Sequence, residues 1–243
     1  SMLQDIGREE GDLVCGPHDP LTARGARIVR ESGIRLSRLH NNCSGKHAGM
    51  LALARHHGWP LVGYHELEHP VQQRMLAEMV RWSGMSAGAI PTGVDGCGVV
   101  TFGLPLSGMA RMFASLASAS RRNEAPGAPV VRAMVTHPEL VAGTQRMCTA
   151  LMRAAHGRIF AKVGAEGVYC AGIPGAELGV ALKVEDGAVR AAEPALLSVL
   201  QRLGVLSADE LSGLERWSEP QIMNTRNERV GHIDALIELE SAS

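Results

Sequence analysis

Apolar positions recur at helical spacing through the first half of the chain and switch to short β-branched runs in the second. Over 46–57, Met50, Leu51, Leu53 and Ala54 fall on one helical face, and Gly58 follows as a stop. Pro70 suits the first turn of a helix carrying Val71, Met75, Leu76, Met79 and Trp82, which Gly84 ends. Further helices are expected at 106–120, 128–136 and 143–155, with "EAPGAP" (124–129) as a surface loop between the first two. Then "RIFAKVG", "GVYCAGI" and "LGVALKVED" are runs split by Gly and Pro, the pattern of a strand meander. A helix near 191–203, a short one near 207–216 and a closing strand or hairpin in "QIMNTRNERVGHIDALIEL" complete the reading. Helices ahead of a mainly antiparallel sheet predict an α+β fold. The expected organisation is a single domain over 1–243, with a helical lobe at about 1–156 and a sheet lobe at about 157–243. No internal repeat and no low-complexity segment interrupts it.

Composition narrows the function classes. A chain of 243 residues can bury a sizeable core. A formal charge of −1 leaves no basic excess to neutralise phosphates, which argues against nucleic acid as a partner. No apolar run approaches spanning length, so no membrane partner is expected. Five cysteines, an odd and small number, argue against a disulfide framework and for a reduced, cytoplasmic setting. Eight aromatics against 11 Met point to a core of aliphatic and thioether packing.

The densest chemistry is "NNCSGKH" (41–47), which puts Cys43, Ser44, Lys46 and His47 around Gly45. A P-loop is excluded, because His40 stands where its first glycine belongs and His47 follows Lys46 where Ser or Thr belongs. "HELEH" (65–69) matches the zinc-peptidase string, but Pro70 follows directly and biases His69 out of the helix. That string reads as a turn capped by Glu and His before the Pro70 helix. A better pairing joins Cys43 and Lys46 with Asp95 and Cys97 of "TGVDGCG" (92–98). Thiolates suit zinc, and Cys-x-x-Lys at a helix start sets two donors one turn apart. Two buried, inert cysteines are the competing explanation. Lys162, before Gly164 at a strand end, is compatible either with the Lys-x-Gly element of penicillin-recognising enzymes or with a plain edge-strand lysine. A Ser-x-x-Lys string is missing, since Ser44-Gly45-Lys46 is one residue too short.

Seven segments in this order carry a family resemblance: "LVCGPHDPL", "NNCSGKHAGMLALA", "EHP", "VDGCGVVTFGLPL", "HPELVAGTQRMCTALM", "KVGAEGVYC" and "NTRNERVG". The chain resembles the bacterial L-asparaginase II family, the inducible Rhizobium-type enzymes, from Leu13 to near Gly231. The resemblance implies a fold like glutaminases and serine β-lactamases, hydrolysis of L-asparagine to aspartate and ammonia, and a homodimer. It also implies one zinc ion held by Cys43, Lys46 and Cys97, with Asp95, His47 and Lys46 expected on the substrate and Lys162 supporting a catalytic serine. The family's Ser-x-x-Lys and second serine lie upstream of Ser1 in that pattern, so an N-terminally truncated chain is expected. If the nucleophile lies within this sequence, Ser44 is the first suspect. Val100 stands where the family usually has proline, a change expected to alter loop rigidity more than chemistry. Gly45 is expected to permit close backbone approach. A glutaminase-like amidase and an inactive, zinc-stabilised amino-acid-binding remnant remain the alternatives.

Overall fold

A computed structural model describes residues 1–240. The chain folds into two compact units, one from Ser1–Arg81 with Met85–Gly103, the other from Trp82–Gly84 with Leu104 onward. Both combine helices with small antiparallel sheets, the α+β class that the element order predicts.

The first unit holds α1 (Met2–Asp5), α2 (Ala23–Ser32), α3 (Ser44–His56), α4 (Pro70–Ser83, less its last turn) and a hairpin of β1 (Thr92–Val94) and β2 (Val100–Phe102). Helix α3 buries His47, Ala48, Met50, Leu51 and Ala54, a face with the 3.6-residue period of an amphipathic helix. Its C-terminus is closed by Gly58 at φ +67°, the left-handed stop expected there. The turn before α4 is the capped turn that the sequence predicts. The His69 ring accepts the Val71 N–H through Nδ1 at 3.1 Å, while its Nε2 bonds the Pro60 carbonyl at 2.8 Å. His69 therefore caps a helix that starts after it, and "HELEH" is no metal motif. Helix α2 buries no residue; the Thr22 hydroxyl accepts the Gly25 N–H at 3.1 Å and Gly33 ends the helix at φ +65°.

In the second unit, α5 (Leu106–Arg121), α6 (Gly127–Thr136), α7 (Pro138–Ala142) and α8 (Met147–Ala154) precede a sheet of β3 (Phe160–Val163), β4 (Val168–Ile173) and β5 (Leu178–Lys183). After it come α9 (Val189–Arg202), α10 (Ala208–Ser212), α11 (Glu215–Ser218) and a hairpin of β6 (Gln221–Met223) with β7 (Arg229–His232). The sheet is antiparallel in the order β3-β4-β5, with Gly172 paired to Gly179. Those two glycines let α5 approach: a Cβ on Gly179 would collide with the Ala110 carbonyl oxygen, and one on Gly172 would meet the Phe160 ring and the Phe113 carbonyl. Helix α9 packs on β4 and β5 through a face that buries Ala192, Leu196, Leu197 and Leu200.

Two sequence expectations change here. The helix expected over 143–155 is shortened to α8, which starts only at Met147 and is split from α7 because Gly143 (φ +95°) and Gln145 (φ +60°) break the backbone. The Thr149 hydroxyl, donating to the Gly143 carbonyl at 2.6 Å, ties the break to α8. The element predicted near 207–216 is likewise split, into α10 and α11. Among the described residues no helix is long and apolar enough to cross a membrane.

A candidate active site with thiol, amine and carboxylate donors

Two local structures of the first unit bring the candidate residues together. At the start of α3, the Asn41 side chain accepts the Cys43 N–H at 2.7 Å and donates to the Gly16 carbonyl at 2.5 Å. This Asx turn anchors the helix start and sets Cys43 and Lys46 on its first turn. Facing it, β1 and β2 are closed by the segment Asp95–Val99. Asp95 Oδ1 accepts the N–H groups of Cys97 (2.9 Å) and Val99 (3.1 Å), and Gly98 takes φ +85°, a conformation glycine adopts without strain. The Val100 N–H donates to the His65 carbonyl at 3.3 Å. Proline at this position could not make that bond, so valine adds a tether between the hairpin and the His65 turn.

The side chains then converge. Lys46 Nζ donates to Asp95 Oδ2 at 2.7 Å, and the Cys97 thiol donates to Asp95 Oδ1 at 2.9 Å. His47 Nε2 lies 3.2 Å from Cys97 Sγ, and its Nδ1 lies 2.6 Å from the Tyr64 hydroxyl. Burial pushes the Cys97 thiol up to about 12, and its hydrogen bond to the Asp95 carboxylate adds to this, outweighing the opposite pull of Lys46. Burial works against ionisation of Asp95, but the hydrogen bonds from Cys97 and Lys46 and two backbone N–H groups hold its carboxyl well below the usual range. Burial also opposes the charge on Lys46, yet the bonds to Asp95 and Cys97 raise its amine overall. Burial lowers the His47 imidazole, and the Lys46 charge lowers it further. Burial raises the fully buried Cys15 thiol, which packs in the same core cluster as Cys97.

The remaining candidates are placed as follows. His47, expected on the substrate, is 0% exposed with both ring nitrogens engaged by protein groups. A Cβ added at Gly45 would meet no protein atom within 4 Å, and the residue faces solvent on the first turn of α3. Ser44 is half-buried and, with Arg8, Glu10 and Leu39, lines a cleft of about 450 Å³. Its hydroxyl makes no hydrogen bond to a base among the described residues. Lys162 belongs to the second unit, exposed on edge strand β3, with Nζ donating to the Val163 carbonyl at 2.7 Å. On the hairpin, Val94 and Gly98 line a cleft of about 610 Å³ with His65, Glu66 and Thr92.

Tyr64 is the residue that sequence reading missed. It is 1% exposed, and its hydroxyl accepts the Val14 N–H at 2.9 Å. One signal was available: only two tyrosines occur in the chain, and this one directly precedes "HELEH".

The donor set suits a thiophilic dication such as zinc in type: thiols from Cys43 and Cys97 and an amine from Lys46, gathered at one helix start and one turn. Among the described residues no three His, Cys, Asp or Glu side chains form a metal cage, so any such site depends on the lysine as third donor. Lys46 and the Cys97 thiol both donate to the Asp95 carboxylate, and each would have to give up a proton to ligate a dication. No curated protein matches the chain. The family model of L-asparaginase II matches residues 1–235, across both units and every motif described above. The chain belongs to the L-asparaginase II family.

Proposed function

We propose that this chain is an L-asparagine amidohydrolase, converting L-asparagine and water to L-aspartate and ammonia beside a zinc site formed by Cys43, Lys46 and Cys97. The observation that carries the reading is the Lys46–Asp95–Cys97 cluster, built by two of the motif segments within the family match. Zinc held there would supply Lewis acidity toward the amide and fix the two segments to each other. Asp95, side chain 27% exposed and held as a carboxylate, offers a partner for the α-ammonium of an amino acid. The chemical step is acyl transfer. A serine Oγ attacks the side-chain amide carbon, the C–N bond breaks, and ammonia leaves with the serine proton. Water then cleaves the ester to release aspartate. Ser44 is the serine to test within this sequence, and Lys162, the lysine that the family resemblance points to, is to be tested separately by Lys162→Ala. We assign the protein to a reducing cytoplasm as a homodimer, in keeping with five cysteines that are all free thiols.

The test is ammonia release from L-asparagine, with L-glutamine in parallel, from zinc-loaded protein. Faster turnover of asparagine supports the reading. Faster turnover of glutamine assigns a glutaminase-like amidase, and asparagine binding without turnover assigns a binding module. Cys43→Ser is expected to lower zinc content and asparagine affinity together; unchanged metal content would remove Cys43 from the ligand set.

A further inference from the structure

Tyr64 and His47 lie outside the proposed ligand set, yet every proton between them and Cys97 can be placed by elimination. Asp95 accepts four donors, from Lys46, the Cys97 thiol and the N–H groups of Cys97 and Val99, and so acts as an acceptor only. The single proton of the Cys97 thiol therefore points to Asp95. The contact between His47 Nε2 and Cys97 Sγ, 3.2 Å, must then be a donation from the imidazole. At the other end, the Tyr64 oxygen already accepts the Val14 N–H. If His47 Nδ1 also carried a proton, the phenol hydrogen would be left without an acceptor at a side chain that is 1% exposed. Buried donors are seldom left in that state. The consistent assignment is Val14 N–H to Tyr64 oxygen, Tyr64 O–H to His47 Nδ1, and His47 Nε2–H to Cys97 Sγ. The rings meet edge to face, with centroids 5.7 Å apart and planes at 85°.

We infer that Tyr64 and His47 are positioning residues: Tyr64 locks His47 in its Nε2–H tautomer, and that N–H holds the Cys97 sulfur in place for the metal. The inference rests on the zinc reading above for its last link and on hydrogen-bond geometry alone for the tautomer. A hydrogen bond to a ligating sulfur orients it and tempers its charge, and outer partners of this kind typically change metal affinity by about 10–100-fold.

The test joins a metal-free and a metal-dependent readout. In the metal-free protein, nitrogen NMR of 15N-histidine should show His47 as the Nε2–H tautomer, and Tyr64→Phe should give a mixture. With metal, Tyr64→Phe and His47→Ala should weaken zinc, measured against a competing chelator, by about 10-fold or more. His47→Gln, whose amide can still donate to sulfur, should recover part of the loss. The charge-transfer bands of the cobalt-substituted protein should shift in the same order, a signature that a merely structural role would leave alone. Circular dichroism would identify a variant that fails to fold, and Tyr64→Phe, which retains the packed ring, is the conservative member of the set. An Nδ1–H tautomer in the parent protein overturns the inference, and so does parent-like zinc affinity in both Tyr64→Phe and His47→Ala. If the parent protein binds no zinc while the tautomer behaves as stated, the zinc reading fails and the Tyr64–His47 lock stands.

Discussion

The chain has two tyrosines, and each is buried in a cluster with a cysteine, one in each unit. In the second unit, Tyr169 hydroxyl and Cys148 Sγ lie 2.8 Å apart, and the Val163 N–H donates to the same sulfur at 3.3 Å. Both side chains are at most 1% exposed within a core of Leu, Ile, Phe and Ala. Burial pushes the Cys148 thiol up and the Tyr169 phenol far above its ordinary range, the latter with further contributions from Cys148 and Glu193. That cluster is a satisfied piece of core. In the first unit the same residue types are linked to an ion pair with a solvent-facing side: Lys46 and Asp95 have side chains 39% and 27% exposed. The comparison teaches that a buried thiol gains chemical potential from the charged donors beside it and a path to water, not from its own burial.

Four changes would break or sharpen this contrast, taken from the largest effect to the smallest. Cys97→Ala should weaken zinc by about 100-fold or more, since removing a ligand costs at least as much as removing its outer partner; equilibrium dialysis with metal analysis measures it. Gly179→Ala should leave zinc affinity alone but destabilise the second unit by about 1–3 kcal/mol, because its methyl collides with backbone of α5. Calorimetry should then show a fall in Tm of roughly 2–4 °C for each kcal/mol lost. Tyr169→Phe removes one hydrogen bond to Cys148 and should cost about 1 kcal/mol in denaturant melts, again without touching zinc. An effect on zinc as large as that of Tyr64→Phe would erase the distinction between the two clusters.

The smallest effect concerns acid stability in the second unit. The Ser207 N–H, followed by Arg158, lowers Glu210 from 4.5 to about 2. The group favours the folded state above pH 4.5, and that contribution fades as pH falls through about 2. Glu210→Gln should therefore lower Tm at pH 7 by a degree or so (about 0.5 kcal/mol, the scale of an exposed ion pair), and the difference from the parent should shrink toward pH 2. A difference that grows on acidification would contradict the assignment.

Much of the fold was legible because its signals are local. Gly58 after an apolar face, Pro70 after a capped turn and Gly-bounded β-branched runs each act within a few residues. What escaped depends on partners far along the chain. The Gly172–Gly179 pair reads as sheet weakness until α5 is seen lying over it. The break at Gly143–Gln145 sits inside an otherwise acceptable helical period. At the candidate site, the donor types of Cys43, Lys46, Asp95 and Cys97 were legible from spacing and chemistry. The inward turn of His47 was not, because its two partners, Tyr64 and Cys97, lie 17 and 50 residues away.

The most direct test of the central claim is zinc content after exhaustive dialysis, compared in the parent protein, Cys97→Ala and Cys148→Ala. The account predicts about one zinc per chain in the parent and in Cys148→Ala, and almost none in Cys97→Ala. Equal zinc in Cys97→Ala and the parent, or loss of zinc in Cys148→Ala alone, would contradict it.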